Sequence, residues 1–292
     1  MFELADAGTL GFDDERLARI APFLAKTYID SGRLPNAQLV IARDGQPVHY
    51  TKLGSMGDDK RELRDDALFR IASMTKPVTS IAFMQLVEQC EVALEEPVAR
   101  IFPEFADLKV YAGGGGAIPF APGKPASAMR FVDLLTHMSG LTYGLQNRNN
   151  IDAAYRENNF DFARDHLDSD AFIEKLSKLP LEFAPGTGWN YSVSTDVLGV
   201  AVERISGMRL GDYFEKHIFA PLGMTDTHFG VAEGQSERLV DAYAYQPGHA
   251  PKMINAGATS KLNEPGAFDS GGGGLIGTIA DYHRFSTMLL NG

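Results

Sequence analysis

Apolar residues recur at helical spacing near the start of the chain. Leu17, Ile20, Phe23, Leu24 and Tyr28 share one face of the segment from Asp13 to Ser31, with acidic residues in its first turn and Gly32 beyond its end. That pattern predicts an amphipathic helix. The period then changes. Ala37 to Arg43 and Pro47 to Leu53 are short apolar or β-prone runs joined by Asp44-Gly45, a dipeptide suited to the left-handed backbone of a tight hairpin. Leu68 to Ala72 is a further short apolar run. Helical spacing dominates afterwards, over Thr75 to Cys90, Phe131 to His137, Asp170 to Leu179, Ser194 to Ser206, Leu210 to Phe219 and Thr278 to Leu290. Gly- and Pro-rich stretches join these helices. One of them, Tyr111 to Pro125, holds Gly113-Gly114-Gly115-Gly116 without the Lys-Ser/Thr of a phosphate loop, and reads as a flexible surface excursion. Helix, hairpin and then a mostly helical block predict an α+β protein whose sheet is completed late.

Composition narrows the class. At 292 residues, 44% hydrophobic and 22% charged, the chain can bury the core of one sizeable domain or two closely packed subdomains. A net charge of -11 argues against nucleic acid and anionic membrane surfaces, which select basic patches, and favours small-molecule partners. The start, from Met1 to Asp6, has no basic or apolar leader pattern, and no window approaches the roughly 18 uninterrupted apolar residues of a membrane span. A cytoplasmic protein is the expectation. Cys90, the single cysteine, falls within a helical pattern and reads as buried and inert.

The chemistry-bearing feature is Ser73-Met74-Thr75-Lys76-Pro77, where an extended segment gives way to a helix. Residues three apart share a helix face, so an amine at 76 can reach a hydroxyl at 73. A free hydroxyl is a weak nucleophile. An amine that gives up its own proton through burial or a neighbouring cation can take one from serine. The helix start would add a backbone N–H and the positive end of the dipole beside an oxyanion. Taken alone, the tetrapeptide reads more readily as an N-capping serine and a solvated lysine than as a catalytic pair.

Two other segments extend the pattern. Phe183 to Val193 is a turn-rich approach to Trp189 and Tyr191 just before a helix, able to present a side chain into a cleft or to pack its own base. A tyrosine there can relay a proton between nucleophile and leaving group. Leu134 to Gly144 ends a helix at a Gly-containing turn, with His137 reading as a partner of the helix dipole rather than a catalyst.

Together these blocks resemble the serine β-lactamase and penicillin-recognising superfamily, most closely its class C-like branch and the related family VIII carboxylesterases. Ser73-Met74-Thr75-Lys76 matches the nucleophile motif, Leu134 to Gly144 resembles the Leu-Leu-Thr-His-x-Ser-Gly-Leu block, and Pro185 to Ser192 the Pro-Gly-x-x-x-x-Tyr-Ser block. Gly271 to Leu275, followed by Thr278 to Tyr282, resembles the glycine-rich turn and helix late in the helical region. The resemblance implies one catalytic domain over 1–292. Its N-terminal helix and hairpin would lie in 1–72 and a mainly helical part in 73–292, beside an antiparallel sheet with flanking helices. It implies a serine carboxylesterase acting through an acyl-enzyme on Ser73, with Lys76 as base, Tyr191 completing the relay, and Tyr143 and Trp189 as walls of the acyl pocket. No cofactor or metal is implied.

Two departures qualify this. The position that usually carries asparagine after the tyrosine motif is Val193, which favours ester over β-lactam hydrolysis and leaves weak β-lactam turnover as a side activity. No Lys-Thr-Gly or His-Gly-Gly follows Gly274, so the sheet is expected to be incomplete, its edge covered by a further segment or a second copy, and the chain truncated. A D-amino-acid amidase or peptidase, a β-lactamase, and a non-catalytic penicillin-recognising module are the alternatives. An α/β-hydrolase is excluded, since no serine sits in Gly-x-Ser-x-Gly, and the histidines at 49, 137, 166, 217, 228, 249 and 283 are too scattered for a zinc site.

Overall fold

The computed structural model describes residues 2–292; Met1, at the head of the segment read for a leader, lies outside the described residues. In chain order it contains helical turns α1 (Asp14–Leu17) and α2 (Ile20–Leu24), then strands β1 (Asn36–Arg43), β2 (Gln46–Gly54) and β3 (Phe69–Arg70). Helices α3 (Thr75–Glu88), α4 (Phe131–Leu135), α5 (Asn150–Glu157), α6 (Ser169–Leu176), α7 (Ser194–Ser206), α8 (Leu210–Phe214) and α9 (Ala220–Leu222) follow. Strands β4 (Ala242–Ala244), β5 (Lys252–Asn255) and β6 (Ile276–Gly277) precede the last helix, α10 (Ile279–Asn291). The class is α+β, as expected.

The chain forms two compact units. One comprises the chain up to Arg70 with 219–265 and 276–292; the other comprises 71–218 with 266–275. The expected division near residue 72 falls two residues earlier, and the span 73–292 is shared between the units rather than belonging to one helical part. The reason is hydrogen bonding: Phe69 and Arg70 of β3 pair with Gly277 and Ile276 of β6, which returns the late chain to the first unit.

In the first unit, β1 and β2 form the predicted hairpin, running from Asn36 opposite Gly54 to Arg43 opposite Gln46. Asp44 and Gly45 both take left-handed φ, 51° and 73°, the geometry of a turn that matches strand twist. Val48 packs with Leu17 and Ala7, against Ile20 and Ile41. The predicted helix from Asp13 to Ser31 is divided into α1, α2 and a π-helical turn over Ala25–Ile29. Pro22 has no N–H to continue the ladder, which accounts for the interruption. Helix α10 returns to the hairpin turn, where His283 Nε2 donates to Gly45 O at 3.2 Å. The β4–β5 ladder, too short to stand out in the sequence, completes this unit. Among the described residues the strands form two-stranded ladders only.

The second unit is built on α7, whose residues from Ser194 to Val202 are all buried. A helix buried on every face belongs at the centre of a helical layer, and α3, α4 and α8 pack around it, carrying the fully buried Phe83, Phe131 and Phe214. Helix α5, missed in the sequence, is capped by the Asn149 side chain, which accepts from Ile151 N and Asp152 N.

The structure departs from the sequence pattern at Cys90 and at the four-glycine run. Cys90 is exposed: it lies two residues past α3 with φ 60°, in the left-handed position that ends a helix and turns the chain outward. The run Gly113 to Gly116 is a hydrogen-bonded turn, all four residues at positive φ, with Gly114 O accepting from Asn150 Nδ2 (2.7 Å) and Tyr111 Oη (3.1 Å). No helix among the described residues is long and apolar enough to cross a membrane.

Candidate active site

Ser73 lies in a 3₁₀ turn over Ala72–Met74 that runs directly into α3. The start of this helix is fixed from inside the unit: Ile71 N donates to Leu275 O (3.1 Å), and Leu275 N donates to the buried Thr75 Oγ1 (3.1 Å). Pro77 is accommodated because the first N–H groups of a helix have no intrahelical acceptor. Ala72 takes φ 45°, a left-handed conformation costing roughly 1 kcal/mol for a residue with a Cβ. That strained residue immediately precedes the exposed Ser73.

Lys76, one turn along α3, brings Nζ to 3.2 Å from Ser73 Oγ and donates to Gly272 O at 2.6 Å. The same nitrogen stands 4.6 Å from the ring centroid of Tyr191 and 5.5 Å from that of Tyr143, so two aromatic faces enclose it. Tyr191 Oη donates to Ser73 Oγ at 2.6 Å. Hydroxyl, amine and phenol therefore meet at one oxygen, although Tyr191 is 118 residues from Ser73.

Tyr191 is held by its neighbours. The adjacent, buried Asn190 donates from Nδ2 to Leu141 O (2.9 Å) and from its backbone N to His137 O (2.9 Å), while Val193 N reaches Thr142 O (3.1 Å). Gln146 Nε2 donates to Tyr191 O. The segment from Leu134 to Gly144 thus acts as the seat for the Tyr191 loop.

Electrostatics follow from burial. His137 lies beneath this loop, its ring centroid 4.9 Å from that of Tyr191. Burial, and then the Lys76 charge, push its pKa down to about 4, so the imidazole is neutral near pH 7. It cannot serve as the cationic helix-dipole partner expected from its position. Burial drives the Tyr143 phenol far above its usual range, keeping it protonated and able to donate to Asp196 Oδ2 at 3.4 Å. Asp196 is itself buried, which raises its pKa, and its Oδ1 accepts from Ser270 Oγ (2.5 Å) and Gly272 N (3.0 Å).

Of the residues named from the sequence, Ser73, Lys76, Tyr191 and Tyr143 are brought together. Trp189 is 67% exposed and edge-on to His137, at 6.2 Å between centroids. Gly272 and Asp196 were not singled out. The glycine-rich block containing Gly272 was visible, but a backbone carbonyl acceptor leaves no side-chain signal. Asp196, three residues before Gly199 in an otherwise apolar helical stretch, was a polar residue at a core position. Among the described residues no His, Cys, Asp and Glu cluster could hold a metal ion.

The model of the beta-lactamase family matches residues 20–292. The chain belongs to the beta-lactamase family. Its similarity to an esterase, EstB of Burkholderia gladioli, is 35% identity over 268 residues, covering 86% of this chain and 64% of that protein. To a lovastatin esterase of Penicillium rubens it is 33% identical, over 90% of this chain and 66% of the relative. The chain thus spans about two thirds of the length of these relatives. Among solved structures, EstCE1, a hydrolase with promiscuous acyltransferase activity, superposes with a TM-score of 0.77 at 25% identity, covering 94% of this chain and 73% of that one. The fold of this beta-lactamase family member is therefore the β-lactamase/transpeptidase-like one.

Proposed function

We propose that the protein is a serine carboxylesterase acting on small-molecule esters, with Ser73 as nucleophile, Lys76 as general base and Tyr191 in the proton relay. One observation carries this reading: Ser73 Oγ sits at once 3.2 Å from Lys76 Nζ and 2.6 Å from Tyr191 Oη. In the reaction, Lys76 as free amine takes the Ser73 proton while Oγ bonds to the ester carbonyl carbon, and the carbonyl oxygen becomes an oxyanion. The Ser73 N–H, at the start of a helix, stabilises that charge. Collapse breaks the carbon–alkoxy bond. Tyr191 gives its proton to the departing oxygen and regains one from the Lys76 ammonium. Water then attacks the acyl-enzyme, is deprotonated by the same relay, and releases the acid and Ser73.

The esterase names of two relatives support the choice of ester, as does Val193, a fully buried apolar residue at the place where a lactamase would present an amide. Tyr143 and the exposed Trp189 are the proposed walls of the acyl pocket. Transfer of the acyl group to an alcohol is the second reading, favoured by the likeness to EstCE1. The test is incubation with a fluorophosphonate followed by mass spectrometry, together with p-nitrophenyl ester hydrolysis. One adduct on Ser73, absent in Ser73→Ala and Lys76→Ala, is expected; ester turnover that survives Ser73→Ala would refute the assignment.

A further inference from the structure

The buried carboxylate of Asp196 takes no part in the bond-making described above, yet three donors converge on it. Ser270 Oγ and Gly272 N–H meet Oδ1 at 2.5 and 3.0 Å, and Tyr143 Oη meets Oδ2 at 3.4 Å. Two of these donors belong to the surroundings of Lys76. Gly272 is the residue whose carbonyl receives Nζ at 2.6 Å, and the Tyr143 ring lies 5.5 Å from Nζ and 5.3 Å from the Tyr191 ring. We propose that Asp196 is a positioning residue: by clamping Gly272 and Tyr143 together it fixes where the Lys76 amine stands relative to Ser73. This rests on the hydrolase reading of Ser73.

Space makes the clamp stiff. A Cβ on Gly272 would lie 2.2 Å from Asp196 Oδ2, so the carboxylate occupies the place a side chain would take. The preceding residue is seated just as closely. Gly271 O accepts from the buried Thr79 Oγ1 of α3 at 2.8 Å, and a Cβ on Gly271 would come within 3.2 Å of Gly199 Cα in α7. The strip from Ser270 to Gly272 is thus gripped by α3 on one side and α7 on the other. Asp196 is the charged member of that grip. A charge buried this deeply is retained only when its donors remain in place, so the carboxylate and the strip hold each other. Truncating Asp196 empties the space against Gly272 and removes the acceptor for its N–H. The carbonyl that orients Lys76 is then free to shift.

The experiment compares Asp196→Ala and Asp196→Asn with the unmodified protein for kcat and KM on a p-nitrophenyl ester, fluorophosphonate labelling and thermal midpoint. Asp196→Ala should lower kcat about 100-fold, the scale of an ångström-level misplacement, with KM changed far less. Asp196→Asn keeps an oxygen for Gly272 N–H and should recover most of that loss. Its labelling of Ser73 should recover in step with kcat. Wild-type kcat in both variants, or equal impairment of both, overturns the proposal. If Asp196→Ala does not fold, Gly272→Ala, whose added methyl would meet Asp196 Oδ2 at 2.2 Å, takes its place, and wild-type kcat in that variant overturns the proposal. Failure of the unmodified protein to turn over ester or label Ser73 strikes the hydrolase reading instead. The Lys76 position in a crystal structure of Asp196→Ala then decides separately: unchanged, it removes the clamp, and displaced, it supports it.

Discussion

Lys76 stands closer to Gly272 than to Ser73: Nζ is 2.6 Å from the glycine carbonyl and 3.2 Å from the serine hydroxyl. The backbone strip that carries Gly272 therefore decides where the amine points as much as α3 does. Since the carbonyl only accepts, it selects the ammonium form as partner and loses this contact's strength when Lys76 becomes the free amine that must act as base.

Gly272→Ala tests that relationship. The added methyl would lie 2.2 Å from Asp196 Oδ2 and 2.8 Å from its Cγ, and the carboxylate cannot swing away because Ser270 and Gly272 N–H hold it. The strip has to move. We expect a loss of about 1–3 kcal/mol in stability, the usual scale of overpacking, with slower labelling of Ser73 even in the folded fraction. Urea unfolding and fluorophosphonate kinetics measure the two effects. Full stability with native labelling would show that the strip has slack that its contacts deny.

Tyr191→Phe removes the 2.6 Å donor to Ser73 Oγ while keeping the ring that faces Lys76. A nitrophenolate leaves without a proton, whereas an alkoxide requires one. The variant should therefore lose about 100-fold more on an alkyl ester than on a p-nitrophenyl ester, within the range for a removed general acid. Parallel kcat/KM measurements on the two substrates suffice, and equal losses would assign Tyr191 to orientation alone.

His137 sets a pH-dependent stability. Its folded pKa of about 4 lies below the ordinary 6.5, so between these values the unfolded chain binds the proton and the folded one does not. Stability from this residue is thus unaffected above about pH 6.5, falls as pH is lowered through the window, and is fully lost below about pH 4. The ring is only partly buried, so the loss is discounted to about 1–2 kcal/mol. Denaturant midpoints at pH 7 and pH 4 should show the unmodified protein losing this much more than His137→Gln. Curves that run parallel would mean that water reaches the ring freely.

Local chemistry made much of this fold legible in advance. The hairpin turn followed from Asp44-Gly45, and α7 was bounded correctly because Val197, Leu198 and Ala201 repeat at helical spacing up to Gly207, which takes a left-handed φ of 69°. Ser73 and Lys76 were readable because their spacing is itself the geometry. Tyr191 needed the likeness of its block, since nothing local says that a loop 118 residues away returns to Ser73. What stayed hidden is non-local and backbone-borne. The Gly272 carbonyl, the convergence of donors on Asp196, and the neutrality of His137 depend on which segments pack together, and no periodicity records that. The return of β6 to β3 was missed for the same reason, two residues being too few to show a strand pattern.

Val193 separates ester from lactam chemistry in a final test. It is fully buried at the N-cap of α7, with its N–H on Thr142 O at 3.1 Å, so the space around it is closed. Val193→Asn would bring an amide of about the same volume into that space. If the amide finds no partner, burial of its unsatisfied donors and acceptor costs about 1–3 kcal/mol. If instead it turns toward Lys76, it regains hydrogen bonds and keeps the protein stable. The surroundings here favour the first outcome, because Lys76 already donates to Gly272 O and Ser73 Oγ and has the Tyr191 ring beside it. We therefore expect a lowered thermal midpoint, ester turnover within a few-fold of the original, and no gain in nitrocefin hydrolysis. A stable variant with enhanced lactam turnover would show that a single side chain, rather than the closed packing around it, keeps this site from lactams.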